Sequence, residues 1–211
     1  SDLNAWVGLF AEFAECFGIK ADKNKLFSTL YQKAMEGDKD CGGMIACNYY
    51  SGEPVTGLEE GRPMFLRRPD SHLGLANFMR SHLYASLATL KIGLDILLKE
   101  EDVKIDSITG HGGLFKTKGV GQSILAAAMN APISVMETAG EGGAWGMALL
   151  AAYMLSKKDG QSLGDYLDSR IFAERKSETM EPDLADVAGF ETYTKQYQAC
   201  LAAEKAAVQA F

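Results

Sequence analysis

The chain has 211 residues, of which 47% are hydrophobic and 23% charged, and it carries a formal charge of −7 with a pI near 5.0. This length and composition suit one substantial domain with a real core and exclude a disordered chain. The acidic balance argues against a nucleic-acid partner, because binding to a phosphate backbone requires a clustered excess of Lys and Arg.

The first part of the chain is predicted to be mainly helical. Apolar residues at every third or fourth position from Asp2 to Phe17 predict an amphipathic helix that Gly18 ends. A second helix is predicted from Asn24 to Met35. Cys41 to Tyr50 is predicted to be a buried strand, and Ser51 to Pro69 a long irregular surface loop, because glycines and prolines interrupt it.

The second part alternates helices and strands. Leucines spaced by threes and fours predict a central packing helix from about Ser71 to Lys99. A strand is predicted from Val103 to Thr109, a helix from Gly121 to Met129, and a strand from Ile133 to Met136. This alternation predicts an α/β domain with a partly parallel sheet and right-handed crossovers. The remainder, Asp165 to Phe211, is predicted to be a packing appendage that ends in a helix.

Two glycine-rich segments follow predicted strands and are candidate ligand-binding loops. They are Gly110-His111-Gly112-Gly113-Leu114-Phe115-Lys116-Thr117 and Glu141-Gly142-Gly143-Ala144-Trp145-Gly146-Met147-Ala148. Glycines let a ligand approach bare backbone, and amides at a helix start can face a phosphate. Open α/β sheets place their binding crevice at these strand ends. A tight turn and a solvated Lys116-Thr117 pair remain the alternative interpretation.

The motifs that are missing restrict the chemistry. The sequence has no GxxxxGK[ST] phosphate loop, no complete dinucleotide fingerprint, and no GxSxG or HExxH motif. His82 lies in the long predicted helix and is expected to be structural, whereas His111 either shapes a nucleotide pocket or satisfies backbone groups. The four cysteines have no zinc-ligand spacing, so we expect reduced and mostly buried thiols.

Charged clusters are interpreted as solvated surface. Lys91, Asp95 and Lys99 lie four residues apart on the long helix and predict a row of ion pairs. The basic segment from Arg62 to Arg68 is expected to be a solvated loop. No apolar run approaches the ~20 residues that cross a bilayer, and the first residues lack a signal core. We therefore expect a cytosolic location.

Segments distributed along the chain share their order with the motifs of one enzyme family. Asn48-Tyr49-Tyr50-Ser51-Gly52-Glu53-Pro54 resembles "PYLSGERTP", and Arg68-Pro69-Asp70-Ser71-His72-Leu73-Gly74-Leu75 resembles "DPxARGxxxGL". Gly112-Gly113-Leu114-Phe115-Lys116-Thr117, with Gln122 and Ala126, is similar to "GGGxKSxxWxQxxAD", and Ala144-Trp145-Gly146-Met147-Ala148 resembles "ALGAA". The chain thus resembles the C-terminal part of FGGY carbohydrate kinases, which include xylulokinases, ribulokinases and glycerol kinases.

The resemblance implies an actin-like, ribonuclease H-like ATPase fold with two lobes, ATP and Mg²⁺ between them, and phosphoryl transfer to a sugar hydroxyl. The nucleotide-binding residues that it carries over by position are Gly110, Gly112, Gly113, Lys116 and Thr117. It carries over no catalytic residue and no metal ligand to this chain.

The chain departs from the family pattern in two ways. Tyr84 and Ala88 stand where the long helix usually has Arg and Glu, and Pro54 replaces the arginine of "GERTP". No DxG[ST] motif occurs, and the family's phosphate loop and catalytic aspartate lie in a segment before the point where this sequence begins. We therefore expect a C-terminal lobe, incomplete at its N-terminal end, that is inactive without the lobe that binds sugar.

These inferences give one principal hypothesis and two alternatives. Residues 1–211 would be a single nucleotide-binding domain, with 160–211 as its C-terminal helical appendage, of a kinase that phosphorylates a pentulose or related carbohydrate. The first alternative is a non-catalytic regulatory or scaffold domain with an actin-like fold, which the bulky Trp145 and the altered helix residues Tyr84 and Ala88 favour. The second is an unrelated small-molecule or acyl-phosphate enzyme. Apolar surface left by an absent lobe would also favour a homodimer.

Overall fold

The structure is a computed structural model that describes residues 2–101, 103–105, 107–136, 142–173 and 177–210. These residues form seven α-helices and two small sheets, joined by turns and loops. The helices are α1 (Asp2–Cys16), α2 (Lys23–Ala34), α3 (Leu75–Lys99), α4 (Val120–Met129), α5 (Gly142–Ser156), α6 (Leu163–Tyr166) and α7 (Leu184–Ala210). The strands are β1 (Met44–Cys47), β2 (Met64–Arg67), β3 (Ile108–Gly110), β4 (Ile133–Met136) and β5 (Ser177–Met180).

The larger sheet has the order β3-β4-β5 and is partly parallel, as predicted. β3 runs parallel to β4, with Ile108 opposite Ile133. β5 then runs antiparallel to β4, with Met180 opposite the same Ile133. The smaller sheet pairs β1 with β2 in antiparallel register.

The sequence predicted most helix ends to within a few residues of their observed positions. Gly18 follows α1 with a φ of 72°, and Asn130 ends α4 with a φ of 48°. At the start of α2, the side chain of Asp22 accepts a hydrogen bond from the backbone N–H of Lys25 at 2.8 Å. This bond satisfies one of the amides that a helix start leaves without a partner.

Two strands were missed by sequence reasoning. β2 lies inside Ser51 to Pro69, which was wrongly predicted to be irregular throughout, and β5 lies in a charged stretch. Neither is strongly apolar, because β2 is only half-buried and most of β5 is exposed. Backbone pairing with β1 and β4 makes these segments strands. Their side-chain pattern alone did not indicate this pairing.

The core surrounds α3, which packs against α2, β1, α4 and α7. Residues 160–211, predicted to be a helical appendage of the same domain, supply both the third strand of the larger sheet and a core helix. Within α7, Phe190, Tyr193 and Tyr197 are fully buried. The hydroxyl of Tyr193 donates to the backbone oxygen of Ser81 at 2.9 Å and thereby joins α7 to α3.

The ion pairs of α3 form as predicted, but the thiols are less buried than predicted, because Cys16 is exposed and Cys200 is half-buried. All four cysteines are free; Cys41 and Cys47 are buried, and burial raises the pKa of Cys47 to about 12. Partial burial alone would raise the pKa of Asp95, but hydrogen bonds from Lys91 and Lys99 lower it overall. In the described part of the chain, no helix is long and apolar enough to cross a membrane.

A buried guanidinium joins three parts of the fold. Arg80 of α3 is fully buried and forms an ion pair with Asp186 of α7, which Lys39 also contacts at 2.7 Å. Arg80 further donates to the Tyr84 hydroxyl and to the backbone oxygen of Gly37, at 2.9 and 3.3 Å. The charge is therefore paired and hydrogen-bonded, which is the condition for burying it.

Replacing Arg80 with Met should destabilise the protein strongly, because it leaves the Asp186 carboxylate buried without its main partner. We expect the free energy of unfolding, measured by urea denaturation, to fall by about 3–5 kcal/mol. Lys99→Met removes an exposed ion-pair partner and should cost about 1 kcal/mol or less. Similar losses in the two variants would contradict this account.

A second buried charge makes stability depend on pH. Glu204 of α7 is fully buried; its Oε1 accepts from the backbone N–H of Arg62 at 2.6 Å, and its Oε2 has no hydrogen-bond partner among the described residues. Burial raises the pKa of Glu204, although the Arg62 N–H opposes that rise. The folded protein thus holds this proton more tightly than the unfolded chain, and the resulting stabilisation is lost as pH rises.

Glu204→Gln should remove this pH dependence, because the amide stays neutral at every pH. Urea denaturation between about pH 4 and about pH 8 should show the variant gaining stability over the parent protein as pH increases. Stability profiles that run parallel over this range would show that Glu204 does not titrate as proposed.

Candidate functional site

The first glycine segment forms a tight loop between β3 and α4, as the sequence predicted. β3 ends at Gly110, and a 3₁₀ turn over Gly113–Lys116 follows. Gly112 has a φ of 108°, and its oxygen accepts from the backbone N–H of Phe115 at 3.1 Å. Because a side chain rarely adopts that φ, Gly112 is required by the turn itself.

The three glycines of this loop have different surroundings. A Cβ on Gly110 would lie 2.4 Å from the aromatic ring of Phe115, so this glycine is required by packing. A Cβ on Gly112 or Gly113 would meet nothing within 4 Å. The loop therefore presents bare backbone to open space at the second and third glycines.

A cavity of about 630 Å³ lies beside this loop, bounded by α1, α2, α3 and the residue that follows β1. Its lining includes three of the five predicted nucleotide-binding residues, Gly113, Lys116 and Thr117. The other lining residues are Leu3, Asn4, Asn24, Phe27, Ser28, Tyr31, Asn48, Ser86 and Leu114.

The lining combines apolar walls with uncharged hydrogen-bonding groups. Leu3, Phe27 and Leu114 supply flat or aliphatic surface, whereas three asparagines, two serines and Thr117 supply donors and acceptors. Lys116 is the charged residue among them, and no carboxylate belongs to the described lining. A largely apolar cavity with a few polar groups is the usual form of a small-molecule site.

Neighbouring elements hold the loop in place. The Gln32 side chain donates to the backbone oxygen of Lys118 at 3.3 Å, which joins α2 to the end of the loop. The buried amide of Gln122 donates to the oxygens of Ile133 and Glu178, both at 2.7 Å, and so ties α4 to β4 and β5. Gln122 therefore positions the loop from behind.

A second cavity, of about 530 Å³, lies between the loop and the β4-β5 pair. Lys116 and Thr117 line it too, together with Met136 and Glu178 among other residues. Lys118 pairs with Glu178 at 3.1 Å, and both side chains are largely exposed. Sequence reasoning missed this wall, because β5 gave no strand signal.

The second glycine segment begins close to the first. A Cβ on Gly142, the first residue of α5, would lie 3.0 Å from Nδ1 of His111. The fold therefore brings the two predicted loops together, although Glu141 lies outside the described residues. Trp145 packs edge to face on Phe172, with ring centroids 6.0 Å apart, and does not line either cavity.

Three residues differ from the family pattern: Tyr84 and Ala88, which lie in the core, and Pro54, which lies in a turn. Tyr84 and Ala88 are fully buried on α3, and Tyr84 accepts hydrogen bonds from Arg80. Pro54 begins a 3₁₀ turn that Glu53 caps by accepting from the N–H of Val55. Within the ranges that the structure describes, no three His, Cys, Asp or Glu side chains are placed to hold a metal ion.

The different roles of the loop glycines can be tested by matched substitutions. Gly110→Ala should destabilise the protein by about 1–3 kcal/mol, because its methyl group would collide with the Phe115 ring. Gly113→Ala enters open space and should change stability by no more than about 0.5 kcal/mol. Urea denaturation measures both, and equal effects would refute the distinction.

Comparison with known proteins agrees with the resemblance found in the sequence. Xylulose kinase from Lactobacillus acidophilus has 18% sequence identity and a TM-score of 0.64, with 94% of this chain and 39% of that chain covered. Gluconate kinase from Lactobacillus acidophilus has 18% identity and a TM-score of 0.62, with 82% and 34% covered. Plasmodium falciparum glycerol kinase, solved with ADP, has 17% identity and a TM-score of 0.57, with 94% and 37% covered.

The chain thus spans little more than a third of the length of these structures. No curated protein matches it. The shared fold is the actin-like, ribonuclease H-like ATPase fold of a C-terminal kinase lobe. Residues 1–155 match the family described as "FGGY family of carbohydrate kinases, C-terminal domain", and the chain therefore belongs to that family.

Proposed function

We propose that this chain supplies the ATP-binding portion of a sugar kinase, which transfers a phosphoryl group from ATP to a hydroxyl of a pentulose or related carbohydrate. The observation that carries the proposal is the bare backbone of Gly113, which opens into the same cavity as Lys116 and Thr117. Membership of the FGGY family supports the reaction class. The choice of a pentulose rests on the xylulose kinases among the similar structures.

The cavity beside the loop suits the nucleoside part of ATP. Its apolar walls at Leu3, Phe27 and Leu114 offer surface on which a base can pack, and Asn4 and Asn48 offer amides for its edge or for ribose hydroxyls. Its volume of about 630 Å³ is large enough for a ligand of drug size.

The loop also suits an anion. Gly113 allows a phosphate to approach backbone N–H groups without a side chain in the way, and exposed Lys116 adds positive charge to a chain whose formal charge is −7. Thr117 adds a hydroxyl at the same edge of the cavity. In this proposal Gly112 shapes the turn and Gly110 supports it from below.

The described residues would not by themselves complete the reaction. Phosphoryl transfer depends on positioning the acceptor, neutralising phosphate charge with metal, and placing a base near the attacking hydroxyl. Mg²⁺ bound with ATP would supply that neutralisation; the described residues include no three His, Cys, Asp or Glu side chains placed to hold the ion. We propose that the sugar and the catalytic base are held by the N-terminal lobe, and that this chain alone is inactive.

Calorimetric titration with ADP and ATP in the presence of Mg²⁺ tests the site. Gly113→Asp should abolish binding, because it places a carboxylate where phosphate is proposed to lie. Gly74→Asp is the matched control: it adds the same charge at an exposed glycine, where an added Cβ would meet no other residue within 4 Å, and it should leave binding unchanged. Binding that survives in Gly113→Asp would overturn the proposed site.

The same titration addresses the alternative functions. No binding by the parent chain, with the fold intact by circular dichroism, would favour the regulatory or scaffold domain with an actin-like fold. Turnover of ATP by this chain alone with a panel of ketoses would refute its proposed inactivity. The regulatory or scaffold alternative has less support from the structure than from the sequence, because Trp145 packs on Phe172 and lines neither cavity.

A further inference from the structure

Tyr31 has a distinct position in the cavity of about 630 Å³ beside the glycine loop. Among the described residues that line this cavity it alone is buried, with 7% of its surface exposed. α2 lines the cavity with Asn24, Phe27, Ser28 and Tyr31, whose spacing of three and four residues places them on one face of the helix. Asn24 is exposed and Tyr31 is buried, so Tyr31 forms the floor of the cavity.

The hydroxyl of Tyr31 makes no hydrogen bond to any residue that the structure describes. The Tyr193 hydroxyl, by contrast, donates to the backbone oxygen of Ser81 at 2.9 Å. A buried polar group without a partner costs free energy, and native proteins rarely leave one unpaired. Because Tyr31 lines the cavity, a bound ligand can supply the missing partner.

The ring of Tyr31 is held in place before any ligand binds. It belongs to the hydrophobic core and packs edge to face on Phe27, with ring centroids 5.9 Å apart. Burial raises the pKa of Tyr31, so its hydroxyl stays neutral and can both donate and accept a hydrogen bond. A polar group fixed in this way adds to affinity without an ordering cost on binding.

The surroundings of Tyr31 suit a base rather than a phosphate. Lys116, the charged residue of the described lining, is exposed on the glycine loop, whereas the α2 face of the cavity carries no charge. Phe27 and Leu3 offer apolar surface on which the face of a base can stack. A base stacked there has its hydrogen-bonding groups on its edge, where a neutral hydroxyl can reach them.

We propose that Tyr31 is a specificity-determining residue for the nucleotide, whose hydroxyl oxygen accepts a hydrogen bond from the 6-amino group of adenine at the floor of the cavity. The proposal rests on the proposed ATP site and adds to it a residue that reads the base. A purine without a substituent at position 6 would leave the Tyr31 hydroxyl unpaired and should therefore bind less tightly.

Calorimetric titration of the parent protein and Tyr31→Phe with ADP and with purine riboside 5′-diphosphate, in the presence of Mg²⁺, tests this role. The analogue differs from ADP only in lacking the 6-amino group. Tyr31→Phe should weaken ADP binding about 3- to 10-fold, the usual effect of one hydrogen bond, and should change the affinity for the analogue much less. The preference for ADP over the analogue should therefore fall about 3- to 10-fold.

Two controls separate this role from a structural one. Because the Tyr31 hydroxyl has no partner among the described residues, Tyr31→Phe should shift the melting temperature by less than about 2 °C. Tyr193→Phe removes a hydroxyl that binds Ser81 and lies outside the cavity lining. That variant should melt about 2–4 °C lower and keep the parent preference for ADP over the analogue.

The outcomes distinguish this proposal from the proposed function. If Tyr31→Phe weakens both ligands equally or neither of them, the role of Tyr31 is overturned while the nucleotide site stands. The role is also overturned if the substitution changes the preference for ADP over 2′-deoxy-ADP instead, since the hydroxyl would then bind ribose. No ADP binding by the folded parent protein would overturn both proposals.

Discussion

The buried pair of Arg80 and Asp186 is the interaction on which the rest of the described fold depends. It joins the middle of α3 to the start of α7, and Arg80 also binds backbone oxygens in the turn after α2. An unpaired guanidinium could not remain in that position, because removing it from water without a partner costs several kcal/mol. The pair therefore holds together three distant parts of the sequence: α3, the start of α7 and the turn after α2. α3 can then support both the small sheet and α4.

The packing around α3 also determines the shape of the loop after β3 and the residues that it contacts. Phe115 folds back over Gly110, and Gln122 ties α4 to β4 and β5. With its base held, the loop projects Gly113 towards a cavity whose opposite walls come from α1 and α2. The candidate site thus combines one local motif with side chains from four other parts of the chain, which is common for sites at the ends of α/β strands.

α5 differs from the other helices of the described ranges, because none of its residues is buried and its sequence carries no charge. An uncharged helix has few favourable interactions with water. Burying each of its large side chains would contribute about 1.5–3 kcal/mol to stability. The similar kinases are more than twice as long as the region they share with this chain. The same chain therefore combines a candidate ligand site with an uncovered apolar helix.

The sequence by itself determined the features that rest on local rules. Apolar periodicity placed the long helices and β4, and glycines placed the loop after β3, because backbone preferences act over a few residues. The order of motifs along the chain also indicated the family. Only the tertiary structure decided which residues share a cavity, why Gly110 differs from Gly113, and that β2 and β5 are strands. These features depend on contacts between segments far apart in the chain, and no local pattern encodes such contacts.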